Sequence, residues 1–213
     1  MLGRIRSLAL QAAEGAASIV GIRAGTEEPP YVIVRKIGDL EIRRYGSRIA
    51  AETVIDADEE RARSEGFRRL AGYIFGGNRT RSKIAMTAPV SQEQAYSSTG
   101  ERIAMTAPVS AARGADGWVI RFFMPTKWTL DTLPEPDDPA VHLVTVPAAT
   151  LAVLRFSGYP RPGAIQQRTA ELLRALRDTD FVPDGAPQAW FYDPPWTVPP
   201  LRRNEIAVTV NKV

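Results

Sequence analysis

One residue of this sequence is suited by type to hold a metal ion: the single histidine, His142. Neutral imidazole is a common ligand of transition metals such as iron. His142 falls in a segment with the alternation of a strand, on an aliphatic face, and a hydrogen bond to a neighbour or to water is the ordinary role of such a histidine. We expect that role and keep His142 as the alternative metal ligand. The methionines that alternate with aliphatic residues are expected in the core; they are Met86, Met105 and Met124.

No arrangement typical of catalysis stands out in the sequence. A single histidine excludes a paired-histidine metal site, and neither HExxH nor GxSxG is present. Ser157 lies in Arg-Phe-Ser-Gly, which lacks the second glycine of a nucleophile elbow. Glu205 follows Arg202 and Arg203, which predicts an ion pair. We therefore predict a protein that is not an enzyme, with a carboxylate-based enzyme left open as an alternative.

The composition is typical of one soluble globular domain of 213 residues, with 44% hydrophobic and 24% charged residues. The net charge is +3 and the charges of both signs are interspersed, so nucleic acid is not expected as a partner. The absence of cysteine excludes disulfides and thiolate ligands. No run approaches the ~20 apolar residues of a membrane-spanning helix. Seventeen prolines and 16 glycines indicate many turns.

The first 25 residues differ from the rest of the chain. Arg4 and Arg6 precede an apolar run that resembles a weak signal peptide, but Gln11 and Glu14 interrupt it and no clear cleavage site follows. We therefore expect a cytoplasmic protein. The predicted organisation is an N-terminal helical extension over residues 1–25, followed by one domain over residues 26–213.

An octapeptide, Ile-Ala-Met-Thr-Ala-Pro-Val-Ser, occurs twice, at residues 84–91 and 103–110. Both copies alternate with period two, which predicts two half-buried strands. The polar connection between them is short, so we expect an antiparallel hairpin with Met86 and Met105 facing the interior. The proline of each copy cannot donate to a ladder and is expected at an edge or a bulge.

The remaining chain alternates strands and two helices. Strands are predicted at 31–36, 40–45, 48–55, 118–124, 141–146, 150–156, 188–192 and 205–210. A first helix is expected after an N-cap at Asp56, with an apolar stripe that includes Phe67 and Leu70, and a second helix starts near Pro162. The order of strands, helix, strands, repeated once, predicts an α+β fold with an internal two-fold relation.

Seven segments, in order, resemble the SOUL/haem-binding-protein family, over about residues 25–213. They are Gly25–Tyr31, Ile42–Tyr45, Lys83–Val90, Arg121–Pro125, Arg155–Gly158, Tyr192–Pro195 and Arg202–Glu205. The doubled octapeptide is similar to the bacterial branch of that family. The resemblance implies a distorted antiparallel β-barrel of two pseudo-symmetric halves flanked by two helices.

The resemblance also implies a haem site in a surface cleft beside the first helix and near the loop before the last strand. The helix positions of the family's haem site correspond to Phe67 and Ala71 in this sequence, and the loop positions correspond to Trp196 and Thr197. Relatives can carry a lysine in that loop and this chain has none, so Arg63 and Arg68 of the helix are the candidates for the haem propionates. Trp190, Phe191, Tyr192 and Trp196 are expected either to close one end of the barrel or to stack on a planar ligand.

We therefore expect a tetrapyrrole-binding protein that carries, buffers or senses haem reversibly, without enzymatic activity. The first alternative is a module that binds another hydrophobic ligand or a protein partner, as the effector-binding domains of some bacterial regulators do. The second is an enzyme that acts on a tetrapyrrole. The sequence does not name a protein partner.

Overall fold

The computed structural model describes residues 26–95, 117–194 and 196–213. The elements, in chain order, are β1 (Tyr31–Ile37), β2 (Leu40–Tyr45), β3 (Arg48–Ile55), α1 (Glu59–Ile74), β4 (Val90–Gln94), β5 (Trp118–Phe123), β6 (His142–Val146), β7 (Ala149–Phe156), α2 (Pro162–Leu176), β8 (Phe181–Pro183), β9 (Gln188–Phe191) and β10 (Asn204–Lys212), with a 3₁₀ turn at Pro199–Leu201. Within the described ranges no helix is long and apolar enough to cross a membrane. The predicted N-terminal helix lies outside the described residues.

All ten strands belong to one antiparallel sheet with the order β1-β2-β7-β10-β9-β4-β5-β3-β6, and β8 pairs with β10. On one side of the central β9–β4 contact the strands lie in the order β4, β5, β3. On the other side the equivalent strands lie in the order β9, β10, β7. The next strand on each side comes from the opposite half, since β6 pairs with β3 and β2 with β7. The predicted two-fold relation is thus confirmed, with one strand exchanged between the halves. Within the described residues β1 and β6 remain the edges, so the sheet is open rather than closed into a barrel.

Both helices lie on one face of the sheet. α1 contacts β3 and β5, and α2 contacts β7, β8 and β10. Along β7, Ala152 and Leu154 pack in the core under α2, whereas Leu151 and Val153 pack in a separate aromatic core with Trp190. Because successive strand residues point to opposite faces, this aromatic core lies on the face of the sheet opposite the helices. We call this side the inner face.

Helix α1 begins two residues later than the sequence indicated. The N-cap is Asp58 rather than Asp56, and its side chain accepts a hydrogen bond from the amide of Arg61 at 3.0 Å. Glu59 and Glu60 occupy the first turn, where the helix dipole favours negative charge. The apolar stripe was correctly placed, since Leu70 and Ile74 are buried against the sheet. Gly76, with φ of +117°, follows the end of the helix and supplies the left-handed residue that ends it.

The first octapeptide is not the regular strand that its alternation predicted. Only Val90 and Ser91 belong to β4, which pairs with β5 and β9. The preceding residues form no strand, and Met86 is 37% exposed rather than directed to the interior. The predicted hairpin is therefore wrong for the first copy, because the strands on the two sides of Val90 and Ser91 are β5 and β9. The second copy, with Met105, lies outside the described residues.

Candidate functional site

Three of the expected site residues share one face of α1. Arg63, Phe67 and Ala71 are spaced four residues apart, which places them in one line along a helix. Phe67 is 37% exposed, and its ring meets the buried ring of Phe122 edge-on, with centroids 5.2 Å apart. Ala71 packs partly against the same core. We call this line of residues the α1 surface. It exposes part of the Phe67 ring, which is held in place by its contact with Phe122.

Arg63 ties the start of the α1 surface to the second half of the molecule. Its Nη1 donates to the carbonyl of Pro160 at 3.2 Å, and its guanidinium lies 4.7 Å from the ring centroid of Phe191 on β9. Burial lowers the pKa of Arg63, and Glu59 and Glu60 oppose that effect. Arg63 is therefore a half-buried cation held at the edge of the apolar helix face.

The loop before β10 is connected to this edge through Arg202 and Tyr159, which were not predicted as site residues. The guanidinium of Arg202 lies 4.5 Å from the ring centroid of Tyr159, next to the carbonyl that Arg63 binds. The Nε of Arg202 donates to the carbonyl of Thr197 at 2.8 Å. The charge of Arg202 also lowers the pKa of Arg63. The Arg202 contacts therefore connect the predicted loop position with the helix.

The two loop residues themselves differ in accessibility. Trp196 is 63% exposed, whereas Thr197 is 1% exposed. The Thr197 carbonyl is the acceptor for Arg202, and its amide donates to Pro194 at 3.1 Å. Thr197 thus supports the loop from within, and the indole of Trp196 is exposed on the loop surface.

His142 lies on the inner face, away from the α1 surface. In the β3–β6 pair it is opposite Glu52, while Leu143 is opposite Ala51. Ala51 and Leu143 pack in the core beneath α1, so alternation places His142 on the opposite face. His142 is exposed and not buried among aliphatic residues as its neighbours indicated. Over the part of the chain that the structure describes, no group of three or more histidine, cysteine or acidic side chains could hold a metal ion.

The inner face also contains a buried ionic cluster around Glu205, which is fully buried. Arg43 donates to both of its oxygens at 2.8 and 3.1 Å, and Arg203 and the Tyr192 hydroxyl also donate to it. Burial alone would raise the pKa of Glu205, but the hydrogen bonds and charges of Arg43 and Arg203 hold it below its usual range. The ion pair expected for Glu205 is confirmed with Arg203, and Arg43 is a second partner. A carboxylate held charged in this way is not suited to donate a proton.

The geometry defines an α+β domain with an apolar helix face, flanking cations and a second, aromatic inner face. Solved structures share this fold at low identity. The C-terminal domain of EcmrR has a TM-score of 0.53 at 12% identity and covers 82% of this chain and 98% of its own. A hydrolase from Listeria innocua has a TM-score of 0.50 at 12% identity and covers 89% of this chain and 94% of its own. Both likenesses concern the fold alone.

The chain belongs to the SOUL family. The family model described as "SOUL heme-binding protein" matches residues 26–209. Heme-binding protein 2 of Mus musculus is 26% identical over 169 residues, which cover 75% of this chain and 76% of that protein. The match begins at residue 26; the separate status of residues 1–25 stays a prediction.

Proposed function

We propose that this protein binds haem reversibly at the α1 surface and acts as a carrier, buffer or sensor, without catalysing a reaction. Membership of the SOUL family supports haem as the ligand. The observation that carries the proposed site is the exposed ring of Phe67, fixed against Phe122 on a helix face that Arg63 borders. A flat apolar macrocycle needs such an apolar support, and its propionates need cations at the rim.

The residues of the α1 surface fit this ligand. The Phe67 ring and the small side chain of Ala71 leave an apolar strip on which a porphyrin face can lie. Arg68 is exposed beside Phe67, and Arg63 lies one turn earlier, so both can reach propionates at the edge of the macrocycle. Trp196 offers a second exposed aromatic ring from the loop before β10. When bound, haem supplies the redox-active iron, while the protein residues hold and orient the macrocycle.

Contact with Phe67, rather than ligation by His142, should decide haem affinity. We expect Phe67→Ala to weaken hemin binding about tenfold or more, equivalent to ~1.4 kcal/mol. His142→Ala should keep both the affinity and the visible spectrum, because His142 lies on the inner face. The measurement is a hemin titration followed by the Soret band. Leu130→Ala is the control, since Leu130 is similarly exposed but lies in the loop after β5.

Two outcomes of that titration would contradict the proposal. A wild-type spectrum that is low-spin, and becomes high-spin only in His142→Ala, would make His142 the axial ligand. Equal losses in Phe67→Ala and Leu130→Ala would remove the α1 surface from binding. Turnover of a tetrapyrrole by the wild-type protein, without a stable complex, would favour the enzymatic alternative.

A second candidate function is a module for another hydrophobic ligand or a protein partner. The observation that favours it is an open hollow of about 910 Å³, away from α1, whose walls include Tyr31, Arg44 and Thr150. A ligand in this hollow would not compete with hemin. Binding of an unrelated apolar dye, together with no shift of the hemin Soret band when the protein is added, would favour this candidate over haem binding.

A further inference from the structure

Arg48, the first residue of β3, is a half-buried cation that has no anionic partner among the described residues. Its Nε and Nη1 are enclosed and have no hydrogen-bond acceptor, and it forms no ion pair with the described residues. Instead the guanidinium lies 4.6 Å from the ring centroid of Tyr45 and 4.8 Å from that of Phe123. Burial lowers the pKa of Arg48, which reflects a charge removed from water without a compensating anion.

Three other arginines on the inner face are paired with carboxylates. Arg43 binds Glu205, and Arg203 binds both Glu205 and Glu28, with N–O distances of 2.8 to 3.0 Å. Arg121 binds Glu52 and Glu93, each at 2.7 Å. A buried guanidinium without a carboxylate is costly. Arg48 therefore differs from its neighbours in lacking the anion that each of them has.

Arg48 lines a cavity of about 200 Å³ that contains a second unsatisfied donor. Trp128 is also part of its wall, and the indole Nε1 is buried without an acceptor. Much of the remaining wall is apolar, with Pro29, Ile49 and Phe123 among its members. This volume is many times the ~10–15 Å³ that a cavity needs to hold one water molecule. This volume fits a small molecule with one ring or a short chain.

The carboxylates at this cavity limit the charge that it can accept. Glu28 is bound by Arg203 through both oxygens, at 3.0 Å each. Glu27 is exposed at the rim and accepts a hydrogen bond from the amide of Thr126 at 2.7 Å. Neither pairs with Arg48, but both would repel a ligand with two or more negative charges. A single negative charge matches the charge of Arg48, which has no ion pair among the described residues.

We propose that this cavity binds a small organic monocarboxylate with a planar, apolar body. The carboxylate accepts hydrogen bonds from the Arg48 guanidinium and the Trp128 indole, and the body contacts Phe123 and the prolines of the wall. Arginine suits this role because its planar fork matches a carboxylate. The site is on the inner face and is separate from the α1 surface.

The test uses benzoate as the probe, in calorimetric titrations of the full chain at constant ionic strength. We expect saturable binding by the wild-type protein, a loss of at least tenfold in affinity in Arg48→Met, and a smaller loss in Trp128→Phe. Arg155→Met is the matched control, since Arg155 is an exposed arginine of strand β7 that does not line the cavity, and it should leave benzoate binding unchanged. Benzyl alcohol, which has the same ring without the charge, should bind at least tenfold more weakly.

Arg48→Met should melt at the wild-type temperature or above, because it removes an uncompensated charge, so a loss of benzoate binding would not reflect unfolding. Hemin binding should be unaffected by Arg48→Met, and benzoate binding by Phe67→Ala. Failure of the haem proposal is therefore distinguishable from failure of this one. The absence of saturable binding, equal affinity in Arg48→Met, or equal binding of benzyl alcohol would overturn the proposal and leave a cavity that holds only water.

Discussion

At the scale of single residues, the side chains suited to bind a ligand, a metal ion or a charge do not lie together, because the sheet separates them onto two faces. Phe67 lies over the helix-covered face, while His142, Arg48 and Glu205 lie on the inner face. The sequence indicated Phe67 correctly as an aromatic residue of α1. It could not show that Arg43, 162 positions from Glu205, completes the ionic cluster, because that contact depends on the pairing of β2 and β10 with β7.

The Glu205 cluster should be a main determinant of stability. Arg43→Met leaves the Glu205 carboxylate buried with Arg203 and Tyr192 only, and we expect a loss of about 3 kcal/mol in the free energy of unfolding. Urea denaturation measures it. The control is Arg79→Met, which breaks an equally short pair with Glu135 at 2.7 Å that is largely exposed and should cost no more than ~1 kcal/mol. Similar losses in both variants would show that burial does not strengthen the Glu205 cluster.

Because of the same carboxylate, we expect the free energy of unfolding to fall in acid. Since the pKa of Glu205 is lowered in the folded protein, its contribution is fully present above the unfolded value of ~4.3 and is lost as the pH falls through the folded pKa. Unfolding free energies measured from pH 6 to pH 3 should therefore fall more steeply in the wild-type protein than in Glu205→Gln, which has no charge to lose. Parallel pH profiles would mean that other carboxylates account for the loss of unfolding free energy in acid.

At the scale of elements, α1 is positioned by a glycine. A Cβ at Gly66 would lie 2.4 Å from Cγ1 of Ile120, a fully buried residue of β5. Helix and strand therefore approach more closely than any side chain allows, and Phe67, the next residue, reaches Phe122 as a result. The helical stripe was readable from the sequence, whereas this close approach was not, because a glycine inside a helix carries no periodic signal.

Gly66→Ala should destabilise the protein by ~1–3 kcal/mol through overpacking, which outweighs a gain in helix propensity of up to ~1 kcal/mol. It should also weaken hemin binding, because α1 must move away from β5. Gly72→Ala is the matched control in the same helix, where a Cβ would meet nothing within 4 Å, and should stabilise slightly. Thermal melts and hemin titrations of both variants test this; equal stability in the two would disprove the close-packing role of Gly66.

The octapeptide shows where period-two alternation misleads at this scale. The amide of Ile84 donates to Ile74 and that of Ala88 donates to Glu27, while the Thr87 hydroxyl donates to Phe123. The segment thus bonds to three separate parts of the chain rather than to one partner strand. Alternation shows which side chains are apolar, but it does not show which backbone groups are available as hydrogen-bond partners. It therefore predicted a strand where an irregular segment is observed.

At the scale of the whole molecule, the sequence indicated two similar halves, and most strands were placed within one or two residues. The exchange of β2 and β6 between the halves could not be predicted, because strand patterns do not specify partners that are far apart in the chain. Together with the central β9–β4 pair, this exchange joins the halves into one sheet. It also places the segment before β1 against both halves, where Glu27 contacts Ala88 and Thr126, and Glu28 contacts Arg203.

These contacts define where the folded domain should begin. A truncated protein that starts at Gly25 keeps Glu27 and Glu28, and we expect it to melt cooperatively near the wild-type temperature and to bind hemin equally. A truncation that starts at Tyr31 removes both, leaves Arg203 without Glu28, and should lose stability by ~1–3 kcal/mol, as expected when a partly buried charge loses its hydrogen-bond partner. Differential scanning calorimetry of the two proteins measures the difference. Insoluble or non-cooperative protein from the Gly25 start would show that residues 1–24 belong to the domain, and equal melting of both truncations would show that the Glu28 ion pair does not join the halves.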